Sequence, residues 1–218
     1  MTGPPTEKAR WREQLSALRR YRPVDERRVA RQANAAHLSA ELRGARVVCG
    51  YLPLGSEPLE AELLEELTRA GISVLVPVVT GAAPLDWVRY PAPLRPGPAG
   101  IAEPLGPRMG SGAVRTADVV LVPALAVAEN GIRLGRGGGH YDRTLALLDL
   151  ARLHPVRRDP GPPELRPSDL DRPPPGPRTV AVLFDGELVP RLPSDRFDIP
   201  VDAVVTPGGG IRHIARTG

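Results

Sequence analysis

Residues 130–143, Asn-Gly-Ile-Arg-Leu-Gly-Arg-Gly-Gly-Gly-His-Tyr-Asp-Arg, bring glycine, arginine and a carboxylate within reach of one nucleotide. Glycines at 135, 137, 138 and 139 are free to take positive φ and to let a phosphate approach backbone N–H groups, while Arg133, Arg136 and Arg143 supply countercharge. The largely apolar run over residues 144–148 predicts a helix that starts beside this loop and turns its positive dipole end towards the same anion. Phosphate binding is the chemistry that suits such a mixture. A glycine-rich stretch taken alone also fits an ordinary surface turn, so its flanks decide the reading. Upstream, residues 118–126 form an apolar, β-rich run that reads as a buried strand, giving strand, glycine loop and helix in that order. No Gly-Lys-Ser or Gly-Lys-Thr ends the loop, and the spacing Gly-x-Gly-x-x-Gly fails because His140 or Asp142 falls on the third glycine position.

The elements needed to hold this loop are legible along the chain. Residues 7–21 place Trp11, Leu15 and Leu18 on one helical stripe, with Lys8, Arg12 and Arg19 aligned along its edge. A row of like charges disfavours a helix by roughly 0.2–0.5 kcal/mol per pair, so an anion is expected opposite; a solvated basic edge is the alternative. Asp25 is expected to cap a second helix that Gly44 follows. Alternation comes next: strands over residues 46–52 and 72–79, with a helix over 59–70 between them, a short strand over 85–90, a strand over 118–123, and a helix over 141–150. Further strands are expected over 179–184 and 203–206. Strands alternating with helices predict an α/β fold, a three-layer, mostly parallel open sheet with helices on both faces. Ligands in such sheets lie beyond the carboxyl ends of the strands, where the loops after Leu52, Pro123 and Phe184 are expected to converge.

The chain has 218 residues, 41% of them hydrophobic, which is enough for one sizeable core and one domain. Residues 152–178 hold nine prolines and little bulky apolar surface, and read as a disordered insertion within that domain. Residues 91–98 read as a loop. No apolar run approaches the roughly 20 residues a bilayer needs, and the first residues lack an apolar leader core, so a cytoplasmic, monomeric protein without a membrane partner is the expectation. Cys49 is the only cysteine, which excludes an internal disulfide and multi-cysteine zinc sites, and it reads as a small buried hydrophobe. Trp11 and Trp87 read as packing residues.

Net charge is +4, yet residues 1–46 alone carry eleven Lys or Arg against five Asp or Glu. That local excess suits a compact anion against the first helices. With 4% aromatics and no interleaving of basic and aromatic residues, a nucleic-acid partner is not expected. Lys8 is the only lysine of the chain, and its compact ammonium does different work from a guanidinium.

Six blocks in order then resemble one known family. They are Lys8 with Arg12, residues 51–57 (Tyr-Leu-Pro-Leu-Gly-Ser-Glu), 100–104, 121–126, 131–143 and 192–207. The chain is similar to the 5-formyltetrahydrofolate cyclo-ligases, also called 5,10-methenyltetrahydrofolate synthetases. The resemblance implies that ATP, with Mg²⁺, phosphorylates the formyl oxygen of 5-formyltetrahydrofolate, that nitrogen 10 closes onto the activated carbon, and that phosphate leaves. It implies that Lys8, Arg12, Arg133, Leu134, Gly135, Arg136, Gly137, Gly138, Gly139, His140 and Tyr141 contact ATP, and that Arg136 and Tyr141 are catalytic. Leu52, Glu57 and Tyr141 would bind the reduced folate, and Asp142 and Asp198 would hold Mg²⁺.

Each of these residues also has a plainer reading: Asp142 as a helix N-terminal acid, Asp198 and Asp202 as turn caps around Pro200, and Glu57 as an acid at a helix start. Three departures stand out: His140 replaces the family's usual tyrosine, Gly138 stands where some relatives carry lysine, and the insertion over 152–178 lengthens a loop near the expected nucleotide site. A relative that binds ATP or folate without this activity, as a regulator or with another substrate, is the alternative to the enzyme.

Overall fold

The computed structural model describes residues 5–97, 100, 102–153 and 176–215, with side chains up to residue 149 in the helix that ends the second of these long segments. In chain order the elements are α1 (Glu7–Tyr21), α2 (Val24–Glu41), β1 (Val47–Cys49), α3 (Glu62–Arg69), β2 (Ser73–Val78), β3 (Asp86–Tyr90), β4 (Leu94–Pro96) and β5 (Ala102–Pro104). A 3-10 helix (Ser111–Thr116) leads to β6 (Val119–Pro123), β7 (Ala126–Ala128), β8 (Arg133–Leu134) and α4 (His140–Leu153). Then follow β9 (Arg178–Val182), β10 (Leu188–Val189), β11 (Ala203–Thr206) and β12 (Gly210–His213).

Seven strands form one sheet in the order β12-β11-β9-β6-β1-β2-β3. The five inner strands are parallel, while β3 and β12 run antiparallel at the edges. Successive residues of each inner strand face opposite layers, as a two-residue period requires. Val48, Leu121, Val180, Val182, Ala203 and Val205 pack with Leu38 of α2, with Leu42 just after that helix, and with Leu63, Leu64 and Leu67 of α3. Cys49, Val120, Val122, Ala181 and Val204 pack on the other side with Leu145 and Leu148 of α4, Val114 and Trp87. This is the expected three-layer α/β arrangement. Cys49 is buried, and exclusion from water pushes its thiol pKa far up.

Chain direction through the sheet reverses its order at β1. From there the path runs to β2 on one side and to β6, β9 and β11 on the other. The carboxyl ends of β1 and β6 therefore open a crevice, since the connections that leave them pass to opposite faces.

Several local expectations are corrected. Pro23, whose φ is fixed for a helix entry, precedes α2, and Asp25 lies inside the first turn near Arg28 rather than capping it. Thr6 caps α1 by accepting from the Ala9 N–H at 3.3 Å. The helix after Glu57 begins only at Glu62, so Glu57 is a loop residue and not a helix-start acid. β1 is three residues long, and β9 ends before Phe184. A short hairpin of β4 and β5 occupies what reads as a plain loop. The helix after the glycine loop runs through Leu153, into the start of the proline-rich stretch, whose residues 154–175 lie outside those described.

A three-stranded sheet of β10, β7 and β8 escapes the sequence reading altogether. Its strands are two or three residues long, too short for any periodic signal. It nevertheless carries the beginning of the glycine loop, and α1 lies against it through Leu15, Leu125, Ala126 and Leu134.

Candidate functional site

A cavity of about 790 Å³ opens at the crevice beyond β1 and β6. Lys8 and Arg12 enter it from α1, Leu52 and Glu57 from the loop after β1, and residues 133–143 from β8, the glycine loop and the first turn of α4. Asp195, Phe197 and Asp198 close another wall. Every residue singled out for ATP, folate or metal in the sequence lines this one space. The loop directly after Phe184 does not; that segment instead turns Glu187 towards α1.

The glycine loop is shaped by close contacts rather than by uniform freedom. Of its four glycines only Gly137 and Gly139 take positive φ, at 103° and 66°. Above Gly137 lies the Arg12 guanidinium, 3.5 Å from where a Cβ would stand, while Arg12 Nε donates to the Gly135 carbonyl at 2.9 Å. Gly138 has ordinary φ but no room: the His140 ring fills its side-chain space, with Cδ2 2.7 Å from the ideal Cβ position. Arg143 braces both residues, donating to the Gly138 carbonyl at 2.9 Å and reaching His140 Nδ1 at 3.1 Å. Arginine has no acceptor, so that contact requires an unprotonated Nδ1.

Charges alternate around the cavity. Burial works to lower the Lys8 ammonium pKa, but hydrogen bonds to Asp195 and Asp198 at 2.7 and 2.6 Å outweigh it, and the net shift is upward. Asp195 is held below its usual range by the same lysine and by the Phe197 N–H. Arg133, buried and lowered in pKa by desolvation, pairs with Asp142 at 2.7 Å. Burial also raises the Asp142 pKa, with Arg133 opposing and Asp198 reinforcing the shift. Asp142 and Asp198 thus lie close enough to repel each other. Arg136, 42% exposed, reaches across the cavity to Glu57 at 3.3 Å. The other Glu57 oxygen accepts the Leu54 N–H at 2.9 Å, and the Glu57 side chain is 7% exposed.

The row of cations on α1 divides by environment. Lys8 meets two carboxylates, Arg12 meets a carbonyl, and Arg19 is 2% exposed in a two-pronged pair with Glu187 at 2.7 and 2.6 Å. Arg19 also donates to the Ala124 carbonyl at 2.6 Å and lies over the Phe184 ring. Leu18, expected on the apolar stripe, is instead 61% exposed. The surface under α1 offers acceptors to Arg19 and no apolar seat for Leu18, so the helix rotates its buried face by one residue. Glu187 carries no sequence signal, because its partner is 168 residues away.

Tyr141, in the first turn of α4, lies beneath the Arg133 guanidinium at 5.8 Å from its ring centre. Desolvation pushes its phenol pKa well up, so it is a neutral donor at any ordinary pH. Among the described residues no cluster of three or more His, Cys, Asp or Glu suits a metal ion. Glu57, Asp142, Asp195 and Asp198 bring carboxylates to the cavity, and of these Asp142 and Asp198, the pair expected for Mg²⁺, would suit a hard cation completing its shell with phosphate oxygens and water. Asp202, by contrast, is committed to Thr179, accepting its N–H and hydroxyl at 2.8 Å each. No described helix is long and apolar enough to cross a membrane.

Comparison with known proteins finds one family. A model of the 5-formyltetrahydrofolate cyclo-ligase family matches residues 5–158. The 5-formyltetrahydrofolate cyclo-ligase of Mycolicibacterium smegmatis is 35% identical over 213 residues, covering 95% of this chain and 97% of its own. That of Escherichia coli K12 is 31% identical over 167 residues, or 75% and 79% of the two chains. Among solved structures, the Aquifex aeolicus 5,10-methenyltetrahydrofolate synthetase superposes with a TM-score of 0.68 at 25% identity, covering 98% of this chain and 95% of that one. A Mycoplasma pneumoniae synthetase shares the fold at a TM-score of 0.64 and 16% identity, over 91% and 98% of the chains.

Proposed function

The chain belongs to the 5-formyltetrahydrofolate cyclo-ligase family of enzymes, and on that footing we propose that it uses ATP and Mg²⁺ to close 5-formyltetrahydrofolate into 5,10-methenyltetrahydrofolate, releasing ADP and phosphate. One observation carries the reading. Lys8, Arg136 and Glu57, drawn from three distant parts of the chain, line one cavity together with the glycine loop.

In this reading the formyl oxygen attacks the terminal phosphorus of ATP and ADP leaves. Nitrogen 10 then bonds to the formyl carbon, loses its proton, and the carbon–oxygen bond breaks to release phosphate. A formyl oxygen is a poor leaving group, and its phosphorylation couples ring closure to ATP cleavage. Positioning and charge stabilisation then supply most of the catalysis, without a covalent nucleophile from the protein.

Lys8, Arg12, Arg133 and residues 134–141 would hold the triphosphate, the glycine N–H groups and the α4 N-terminus adding donors. Arg136 would leave Glu57 for the transferring phosphoryl group, being 42% exposed and held only by long contacts, to Glu57 at 3.3 Å and to the Ser56 hydroxyl at 3.5 Å. Freed of Arg136, Glu57 would accept N–H groups of the pterin, with Leu52 as an apolar wall and Tyr141 as a neutral donor beside both substrates. Asp142 and Asp198 would hold Mg²⁺, which when bound neutralises charge on the phosphates. For that, Asp198 must exchange Lys8, and Asp142 must loosen from Arg133. Lys8 would then become available for phosphate, so substrate binding would rearrange these ion pairs.

The same proposal takes the chain as one cytoplasmic domain acting as a monomer on small molecules. Its test is direct: purified protein is incubated with 5-formyltetrahydrofolate, ATP and Mg²⁺, and methenyltetrahydrofolate absorbance is followed. Turnover that requires all three supports the proposal. Binding of ATP or folate without turnover would assign the chain to a non-catalytic relative instead.

A further inference from the structure

Tyr51 stands two residues beyond β1, at the mouth of the crevice where the order of the sheet reverses. It is 3% exposed and lines the cavity. Its hydroxyl is shut off from water and has no hydrogen-bond partner among the described residues. Phenylalanine would fill the same space without burying an unsatisfied O–H, so the hydroxyl is a structural liability in the free protein. A second orphan lies nearby, since the Tyr141 hydroxyl is also buried without a partner.

The two phenols line the same cavity as Glu57. Desolvation keeps both neutral, so each offers an O–H donor. Glu57 uses one oxygen for the Leu54 N–H and the other for Arg136, which leaves lone pairs on both for further donors. A carboxylate acceptor and two neutral O–H donors that line one cavity with Leu52, Pro77, Leu85 and Pro123 suit a flat heterocycle. The matching edge carries adjacent N–H groups and a ring carbonyl, as the 2-amino-4-oxo edge of a reduced pterin does.

We propose that Tyr51 determines substrate specificity by donating its hydroxyl hydrogen to the ring carbonyl of the pterin whose N–H groups Glu57 accepts. This rests on the folate reading of the cavity given above. Tyr51 acts on binding and orientation, and does not touch the transferring phosphoryl group.

The test is Tyr51→Phe, which removes one oxygen and keeps the ring. The expected result is a KM for 5-formyltetrahydrofolate raised about tenfold, with kcat and the KM for ATP within about twofold of wild type. The calorimetric Kd for the reduced folate, measured without ATP, should weaken by the same factor. The melting temperature of the ligand-free variant should stay level or rise, since an unsatisfied hydroxyl is gone.

Unchanged folate KM and Kd would overturn the assignment, as would a rise confined to the KM for ATP. A ligand-free melting temperature several degrees lower would also overturn it, by revealing an existing partner for the hydroxyl. Wild-type protein that neither binds nor converts the folate would instead overturn the functional reading on which the assignment rests. If wild type binds without turnover, the Kd comparison alone decides between the two outcomes for Tyr51.

Discussion

Replacing Arg19 with methionine should unfold far more of this protein's stability margin than replacing Arg19 and Glu187 together. Both side chains are almost fully buried, and they share two hydrogen bonds at 2.7 and 2.6 Å. In the single variant Glu187 keeps only the Phe184 N–H, at 2.8 Å, and the Ala124 carbonyl loses the donor it has at 2.6 Å. A buried charge stripped of its partner costs about 3–5 kcal/mol. The loss of a donor to Ala124 places this case towards the upper end. For a domain of this size that corresponds to a fall in Tm of roughly 6–20 °C.

In the double variant Arg19→Met with Glu187→Met, no charge is stranded and apolar side chains fill similar volume, so stability should return to within about 2 kcal/mol of wild type. Urea denaturation of the four proteins gives the coupling directly, provided the slope with denaturant is the same in each. A coupling energy under about 1 kcal/mol, the range of an exposed pair, would refute the claim that this pair fixes α1 on the sheet. Because α1 also carries Lys8 and Arg12, the single variant should lose ATP affinity at temperatures where it is still folded.

Three further outcomes are expected. Arg136→Ala should lower kcat by at least about a hundredfold with a much smaller loss of stability than Arg19→Met, because Arg136 is 42% exposed, its 3.3 Å contact is long and Glu57 keeps the Leu54 N–H; unaltered turnover in a steady-state assay would remove it from its role. Gly138→Ala should displace the His140 ring, whose Cδ2 occupies the added methyl's position at 2.7 Å, weakening ATP binding by about tenfold or more; a glycine-like Kd by calorimetry would mean that the ring yields freely. The Asp195 carboxyl has a folded pKa depressed below 3.8, so its pairing contributes stability above that value and loses it as pH falls through the folded value. Metal-free wild type and Asp195→Asn should therefore differ at neutral pH and converge in acid denaturation below pH 3.8, and a constant difference across the range would contradict the assignment.

Legibility in the sequence followed the range of the forces involved. The glycine loop, the strand before it and the helix after it could be read because their signal is local: positive-φ residues, an apolar run and a helix start lie within 30 residues. Alternating apolar runs likewise gave the parallel sheet, since each inner strand buries both faces. The extra hairpin and the β10-β7-β8 sheet were not legible. Their strands are too short to show periodicity and exist because neighbouring strands supply the backbone partners. Leu18 and Arg19 misled for a similar reason, since helical spacing defines a stripe but cannot say which residues the opposing surface will accept.

The residues near the cavity divide in the same way. Arginine, glycine and aspartate at close spacing made the proposed anion-binding loop legible, because those side chains and that backbone freedom act over a few ångströms along the chain. Which carboxylate each cation meets was decided only by folding: Lys8 finds Asp195 and Asp198 from 187 and 190 residues away, and Arg136 finds Glu57 across 79. Tyr51 is the extreme case. Its sequence position marks an aromatic after a strand, and only the packed sheet, by excluding water without providing a partner, turns its hydroxyl into a group that a ligand must satisfy.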